Sequence, residues 1–382
     1  MKNFICALFL SLMSASIYAA DTAETIVFLR HGEKPSANLG QLNCQGLNRS
    51  LALAHVLSNQ FGSPDFIFAP NPNGAIDRKT DYVRPLATIE PTAIQLNKPV
   101  NTSFAFNADQ LLADELLAPA YHHSLIFVAW EHKFIPNIAR LIMLHFKLDP
   151  KQIPDWDAHD FDSLYVINIK WHDDTATSVN FIHDQENLNN QKITCPADAS
   201  LAQVKPLSEA QTQTLILIPE AEHASDDLGQ LNCQGLNRAL ALPQVLNNNF
   251  GLIDTYIAPN PPSDFDIHHY VRALMTLEPA AINAVKALNL PFGYKHTREL
   301  VAYLDKASYH NQTLAIAWRA NKLPFIARAF LAMHGGDPSQ VPEVTPDSDT
   351  MYEIKIRRDG VLTNSSFVVV KENLNNLSRL CG

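Results

Sequence analysis

The chain has 382 residues, enough for two ordinary domains, and its 46% hydrophobic and 18% charged content is that of a globular protein. A formal net charge of −10, with no clustered run of Lys and Arg, speaks against a nucleic-acid-binding protein, since neutralising a phosphate backbone needs such a run. It leaves room for a local cationic pocket that takes a single phosphate group.

Residues 1–20 stand apart. Lys2 is the only charge, an apolar run follows from Phe4 to Leu12, and small residues lead to Ser16-Ile17-Tyr18-Ala19-Ala20 before Asp21. This pattern predicts a secretory signal peptide cleaved after Ala19 or Ala20, and so a periplasmic or secreted mature protein. The run is short for a bilayer span, and no other segment is apolar enough for one.

The first strand predicted is Thr25–Leu29, which ends abruptly in Arg30-His31-Gly32-Glu33-Lys34. Leu47, Leu51, Ala54 and Leu57 then follow a helical period. Strand-like runs come next at Phe66–Ala69 and Leu125–Trp130, a second helical pattern at Ile135, Ile138, Ala139, Ile142 and Met143, and a further strand at Ser163–Ile169. Helices alternating with near-continuous apolar strands predict an α/β fold built on a mainly parallel sheet with helices on both faces.

The pattern then repeats. Leu39–Arg49 recurs without change at Leu228–Arg238. Tyr82-Val83-Arg84 returns as Tyr270-Val271-Arg272, Ala129-Trp130 as Ala317-Trp318, and Glu186-Asn187-Leu188-Asn189-Asn190 at 372–376. The offset drifts only from 189 (Leu39 to Leu228) to 186 (Glu186 to Glu372), so the two copies differ by a few single deletions. The second copy has strand-like runs at Thr214–Ile218, Thr255–Ala258, Thr313–Trp318 and Met351–Ile356. The predicted organisation is a signal peptide (1–20), a first domain (21–196), a linker (197–213) and a second domain of the same type (214–382).

Beyond the signal segment the cysteines are Cys44, Cys195, Cys233 and Cys381. Four cysteines allow three pairings. The repeat favours Cys44–Cys195 and Cys233–Cys381, each tying a C-terminal tail to its own domain, and an exported protein can keep such bridges.

The duplication also acts as an internal control. Residues kept in both copies can serve the fold alone, whereas residues present in one copy are candidates for chemistry. Arg30, His31 and Gly32 become Pro219, Glu220 and Ala221, while Glu131 and His132 become Arg319 and Ala320. Arg84 survives as Arg272 and Arg49 as Arg238. Arg78, which becomes Asp266, is a candidate substrate contact.

Leu29-Arg30-His31-Gly32-Glu33-Lys34 resembles the signature of the histidine phosphatase superfamily, which includes phosphoglycerate mutases and histidine acid phosphatases. The stretch Leu42–Arg49 is similar to the segment that opens the family's first helix, Tyr82–Thr88 to its second-arginine segment, and Ala129-Trp130-Glu131-His132 to the strand end carrying its second histidine. The second copy has the same scaffold without the nucleophile. The resemblance implies two phosphoglycerate mutase-like domains and a phosphohistidine mechanism. In it His31 attacks phosphorus, Arg30 and Arg84 clamp the phosphoryl oxygens, and His132 donates to the same oxygens. An acid protonates the leaving alcohol and then activates water. No metal or cofactor is implied.

Glu131, absent from the second copy, is the favoured acid; it can serve only if the strand has ended before it, because neighbouring side chains on a strand face opposite ways. Glu90, which recurs as Glu278, and Asp109, Asp114 and Glu115 are alternatives. Arg49 reads as structural. The histidine pairs at 122–123 and 268–269 occupy unrelated positions in the two copies, and the aspartates at 155–162 lack calcium-loop spacing. The leading expectation is an exported phosphomonoesterase acting on a small phosphate ester, with a degenerate second domain packed on the first. A mutase-type phosphotransferase and a non-catalytic phospholigand-binding or scaffold protein are the alternatives.

Overall fold

The computed structural model describes residues 22–73, 80–196, 212–224, 228–261, 268–359 and 362–381. The signal-like segment, Arg78 and nearly all of the expected linker lie outside these residues. No helix among the described residues is long and apolar enough to cross a membrane.

The N-terminal half runs β1 (Thr22–Arg30), α1 (Cys44–Phe61), β2 (Phe66–Phe68), α2 (Arg84–Leu96), β3 (Val100–Asn101), α3 (Asp109–Leu116), β4 (Leu125–Trp130), α4 (Ile135–His145), β5 (Ser163–His172) and β6 (Thr175–Gln185). Its six strands are ordered β3-β2-β4-β1-β5-β6. The first four are mutually parallel; β5 is antiparallel to β1, and β6 to β5. The sheet is therefore mixed, with a parallel core and an antiparallel hairpin on one side.

The C-terminal half runs β7 (Thr212–Pro219), α5 (Cys233–Phe250), β8 (Thr255–Ile257), α6 (Arg272–Asn283), β9 (Leu288–Asn289), α7 (Thr297–Leu304), β10 (Thr313–Trp318), α8 (Leu323–Met333), β11 (Thr350–Asp359) and β12 (Leu362–Lys371). Its sheet, β12-β11-β7-β10-β8-β9, is the same order read from the other edge. Strand β7 begins at Thr212, inside the span expected as linker.

Alternate side chains of β1 serve opposite faces. Val27 and Leu29 join the core under α1 and α2, whereas Ile26 and Phe28 join the core under α3 and α4. The first of these cores continues without a break into the C-terminal half. The halves also exchange matched hydrogen bonds. Gln41 Nε2 donates to the Ala281 carbonyl and Gln230 Nε2 to that of Ala93, each at 3.0 Å. The Leu290 N–H donates to Asp81 (2.6 Å), and His269 Nδ1 accepts from the Thr102 N–H (3.2 Å).

Helix α1 starts where Asn43 accepts from the Gly46 N–H (2.8 Å), a side-chain N-cap that Asn232 and Gly235 repeat at α5. Gly46 is required there, because a Cβ would lie 2.3 Å from the Glu33 carbonyl. This close approach presses the helix against the loop that follows His31. Arg49 then projects into a buried cluster, contacting Glu33 (2.8 Å), Asp162 (3.1 Å) and Glu186 (2.6 Å). Arg238 makes the same contacts with Glu222, Asp349 and Glu372. Each cluster ties the loop after the first strand to the antiparallel hairpin. Disulfides join Cys44 to Cys195 and Cys233 to Cys381.

Candidate active site

The site lies beyond the carboxyl ends of β1 and β4, where ligands of parallel α/β sheets are bound. Arg30 is in register with Trp130, and the His31 N–H donates to the Trp130 carbonyl at 3.2 Å. Strand β4 ends at Trp130, so Glu131 is free of the strand's alternation and turns toward His31. Arg84 is the first residue of α2; the backbone N–H groups of Val83 and Arg84 both donate to the Gly40 carbonyl (2.8 and 3.0 Å). Thr88, one helical turn on, accepts from the Gly32 N–H at 2.8 Å and donates to the Arg84 carbonyl at 2.8 Å. It thus couples the two arginine-bearing segments.

His31 is 1% exposed. Its Nδ1 lies 2.7 Å from the Gly32 carbonyl, which can only accept, so Nδ1 carries a proton. Nε2 is then the atom with the available lone pair, and it faces Glu131 Oε2 at 3.3 Å. Burial pushes the imidazole down to about 4; the hydrogen bond to Glu131 opposes this, and the charges of Arg84 and Arg30 reinforce it. The ring is neutral at pH 7 and suited to nucleophilic attack.

Glu131 is held from three sides. His132 Nδ1 is 2.7 Å from Oε1, while His31 Nε2 and the Tyr82 hydroxyl both face Oε2. Burial alone would raise its pKa, but the facing nitrogens of His132 and His31 and the hydrogen bond from Tyr82 outweigh it and hold the carboxyl well below the usual range. Arg30 lies over the Phe161 ring, its guanidinium carbon 3.9 Å from the centroid, and its Nη1 donates to the carbonyls of Ala158 (2.9 Å) and Asp160 (2.7 Å). Arg84 Nη1 donates to Asn38 (3.0 Å). The Nε atoms of Arg30 and Arg84 are buried with no hydrogen-bond partner within the protein.

The ligating atoms of His31, Glu131 and His132 lie within 4.8 Å of one another, close enough to meet at one ion. Two guanidiniums act on the same space, and that field opposes a cation and favours an anion.

His31, Arg30, Arg84, Glu131 and His132 are therefore brought to one place, though they come from positions 30 to 132 of the chain. The other candidates are not. Glu90 is buried between the halves, hydrogen-bonded to Glu278. Asp109 bonds Asn137, Asp114 bonds Gln110, and Glu115 accepts from Tyr121. Sequence reasoning assigned no role to Tyr82, Thr88 or Phe161. Tyr82 and Thr88 recur as Tyr270 and Thr276, so a search for copy-specific residues passes over them. Phe161, which aligns with Ser348, is copy-specific and could have been found that way.

The C-terminal half places Glu220 at the backbone position of His31; its N–H donates to the Trp318 carbonyl at 3.1 Å. The Glu220 carboxylate accepts from the Ala320 N–H and feels the charges of Arg272 and Arg319. An acid thus sits where the first half has its histidine, and an arginine where it has Glu131.

No protein-family model matches the chain, and no curated protein matches it. Among solved structures the chain is similar to one described as a phosphohistidine phosphatase, SixA, from Nakamurella multipartitia, with 15% identity over 41% of this chain and 95% of that one and a TM-score of 0.28. It is also similar to a mycobacterial glucosyl-3-phosphoglycerate phosphatase (14% identity, 42% and 97% covered, TM-score 0.29). A third is the phosphoglycerate mutase of Plasmodium falciparum (10% identity, 42% and 89% covered, TM-score 0.29). Each match takes in nearly all of the neighbour and less than half of this chain, and identity this low transfers no activity by itself.

Proposed function

We propose that this protein is an exported phosphomonoesterase that works through a phosphohistidine on His31. The single observation that carries this reading is the orientation of His31. Its Nδ1–H is anchored on a backbone carbonyl, and its Nε2 is presented to a space bordered by Glu131 and His132 and subject to the charges of two guanidiniums. A buried neutral imidazole beside two arginines is a nucleophile set at an anion site.

In the proposed cycle the Nε2 lone pair attacks phosphorus, and the phosphorus–oxygen ester bond breaks toward the leaving oxygen. The proton that the substrate monoester brings passes through the Glu131 carboxyl to that oxygen and releases the alcohol. Water then attacks the phosphohistidine, its proton returns to Glu131, and the nitrogen–phosphorus bond breaks back to Nε2 with loss of inorganic phosphate. Arg30, Arg84 and His132 hold the phosphoryl oxygens throughout. The C-terminal half is, in this reading, a second copy of the same unit that has lost its nucleophile and supports the first through the shared core.

The test is hydrolysis of an aryl phosphate by the wild type and by His31→Ala, followed from acidic to neutral pH. The reading expects turnover in the wild type and a loss of at least about 10³-fold in the variant. Turnover that survives the substitution contradicts it.

A further inference from the structure

Tyr82 is fully buried, and its hydroxyl donates to Glu131 Oε2, the same oxygen that faces the nucleophile. Its ring stands edge-on to His31, with centroids 6.0 Å apart, and the Arg84 guanidinium lies 4.9 Å from its centroid. The phenol is therefore in contact with the nucleophile, the acid and one phosphate-facing arginine, and touches no outer solvent. Burial pushes its own ionisation well above 10, so it remains a donor at every working pH. A permanent donor has one useful partner here, and that is the carboxylate.

We infer that Tyr82 is a positioning residue that fixes the Glu131 carboxyl beside His31 Nε2 and aims it at the leaving oxygen. The inference rests on the hydrolase reading above. A hydrogen bond to Oε2 stabilises the charged carboxylate over the neutral acid, so Tyr82 lowers the pH up to which Glu131 holds a proton. It also fixes which oxygen lies beside His31 and which lies beside His132. The other charged or titratable groups acting on this carboxyl are His31, His132, Arg30 and, from the loop after His31, Lys34, while Arg84 lies against the Tyr82 ring. Of the three groups that face Glu131, Tyr82 is the one with no expected part in attacking or holding the phosphoryl group.

The substitution Tyr82→Phe in the full chain keeps the ring and removes the donor. Two substrates separate positioning from a general packing defect. A p-nitrophenyl phosphate releases a weakly basic phenolate that leaves without a proton, whereas n-butyl phosphate releases a strongly basic alkoxide that needs one. The expected result is a kcat ratio of butyl to nitrophenyl substrate about tenfold lower than in the wild type, with KM for both little changed, and an alkaline limb of kcat shifted to higher pH. In a Glu131→Gln background the same substitution should cost nothing further on either substrate. An equal loss on both substrates, an unmoved alkaline limb, or full additivity with Glu131→Gln overturns the role of Tyr82 while leaving the hydrolase intact. Absence of wild-type turnover on both substrates overturns the hydrolase reading itself.

Discussion

His31 Nε2 and Glu131 Oε2 face each other across 3.3 Å, and the proton on the opposite ring nitrogen of His31 is committed to the Gly32 carbonyl. A bare lone pair and a carboxylate oxygen at this distance repel, so the contact is stabilised when one proton lies between them. That single proton is what the proposed first step must deliver to the leaving alcohol.

Its availability sets the pH dependence. Burial pushes His31 down to about 4, and the contacts with His132, His31 and Tyr82 hold Glu131 below the usual carboxylate range, so the free pair loses its shared proton in acid. Above that point the proton must arrive on the substrate, whose phosphate monoester keeps one only up to a pKa of about 6. The predicted kcat/KM for an alkyl phosphate is therefore highest on the acid side of about pH 6 and falls about tenfold per pH unit beyond it. A profile that is flat from pH 5 to 8 contradicts this proton inventory.

Removing the acid should separate the two half-reactions. Glu131→Gln keeps a side chain of similar size but carries no proton to give. The expected loss is about 10²–10⁴-fold in kcat on alkyl phosphates and much less on aryl phosphates. Steady-state rates on a leaving-group series measure it.

Arg84 offers a cleaner binding test than Arg30, whose guanidinium is already committed to backbone carbonyls and to the face of Phe161. Arg84→Lys keeps the charge and loses the fork of parallel donors. The expected effect is about 10–100-fold in kcat/KM, with inhibition by inorganic phosphate weakened in parallel. Unchanged inhibition places the phosphoryl group elsewhere.

The interface between the halves should respond to alkali. Glu90 and Glu278 are buried, hydrogen-bonded to each other, and pushed up by burial, Glu278 to about 8. A carboxyl whose folded value lies above its unfolded one contributes stability that is complete below about pH 4.5 and is lost as the pH rises through the folded value. The wild-type Tm is predicted to fall between pH 6 and 9, and the double variant Glu90→Gln with Glu278→Gln to flatten that fall. Parallel Tm profiles for the two proteins contradict the assignment.

Arg49 is predicted to matter for folding. It is fully buried between Glu33, Asp162 and Glu186, so Arg49→Met leaves three acids without their cation. The expected cost is about 3–5 kcal/mol of unfolding free energy, read from denaturant midpoints.

Much of this architecture was legible because the parallel core strands are buried on both faces and read as unbroken apolar runs. Strands β4 and β10 run over the expected Leu125–Trp130 and Thr313–Trp318. Strands β6 and β12 were not foreseen. They are edge strands with one neighbour each, and the mixed polar sequence of Thr175–Gln185, largely exposed, carries no clear alternation. The very short β3 and β9 also escaped, since two residues hold no period. At the site, the comparison of copies singles out Arg30, His31, Glu131 and His132 because the second copy lacks them. It is blind to Tyr82, which the second copy keeps as Tyr270 beside a different carboxylate, Glu220. A tyrosine kept beside an acid in both halves leaves no difference to detect.

The central claim is a covalent phosphoenzyme on His31. Rapid acid-free quenching of the full chain with radiolabelled aryl phosphate, followed by peptide mapping, measures it most directly. The account predicts an acid-labile, base-stable phosphate on the peptide that contains His31, formed and discharged at rates that support turnover and absent from His31→Ala. A wild-type enzyme that turns over while no label reaches that peptide, or a label that persists in His31→Ala, contradicts it.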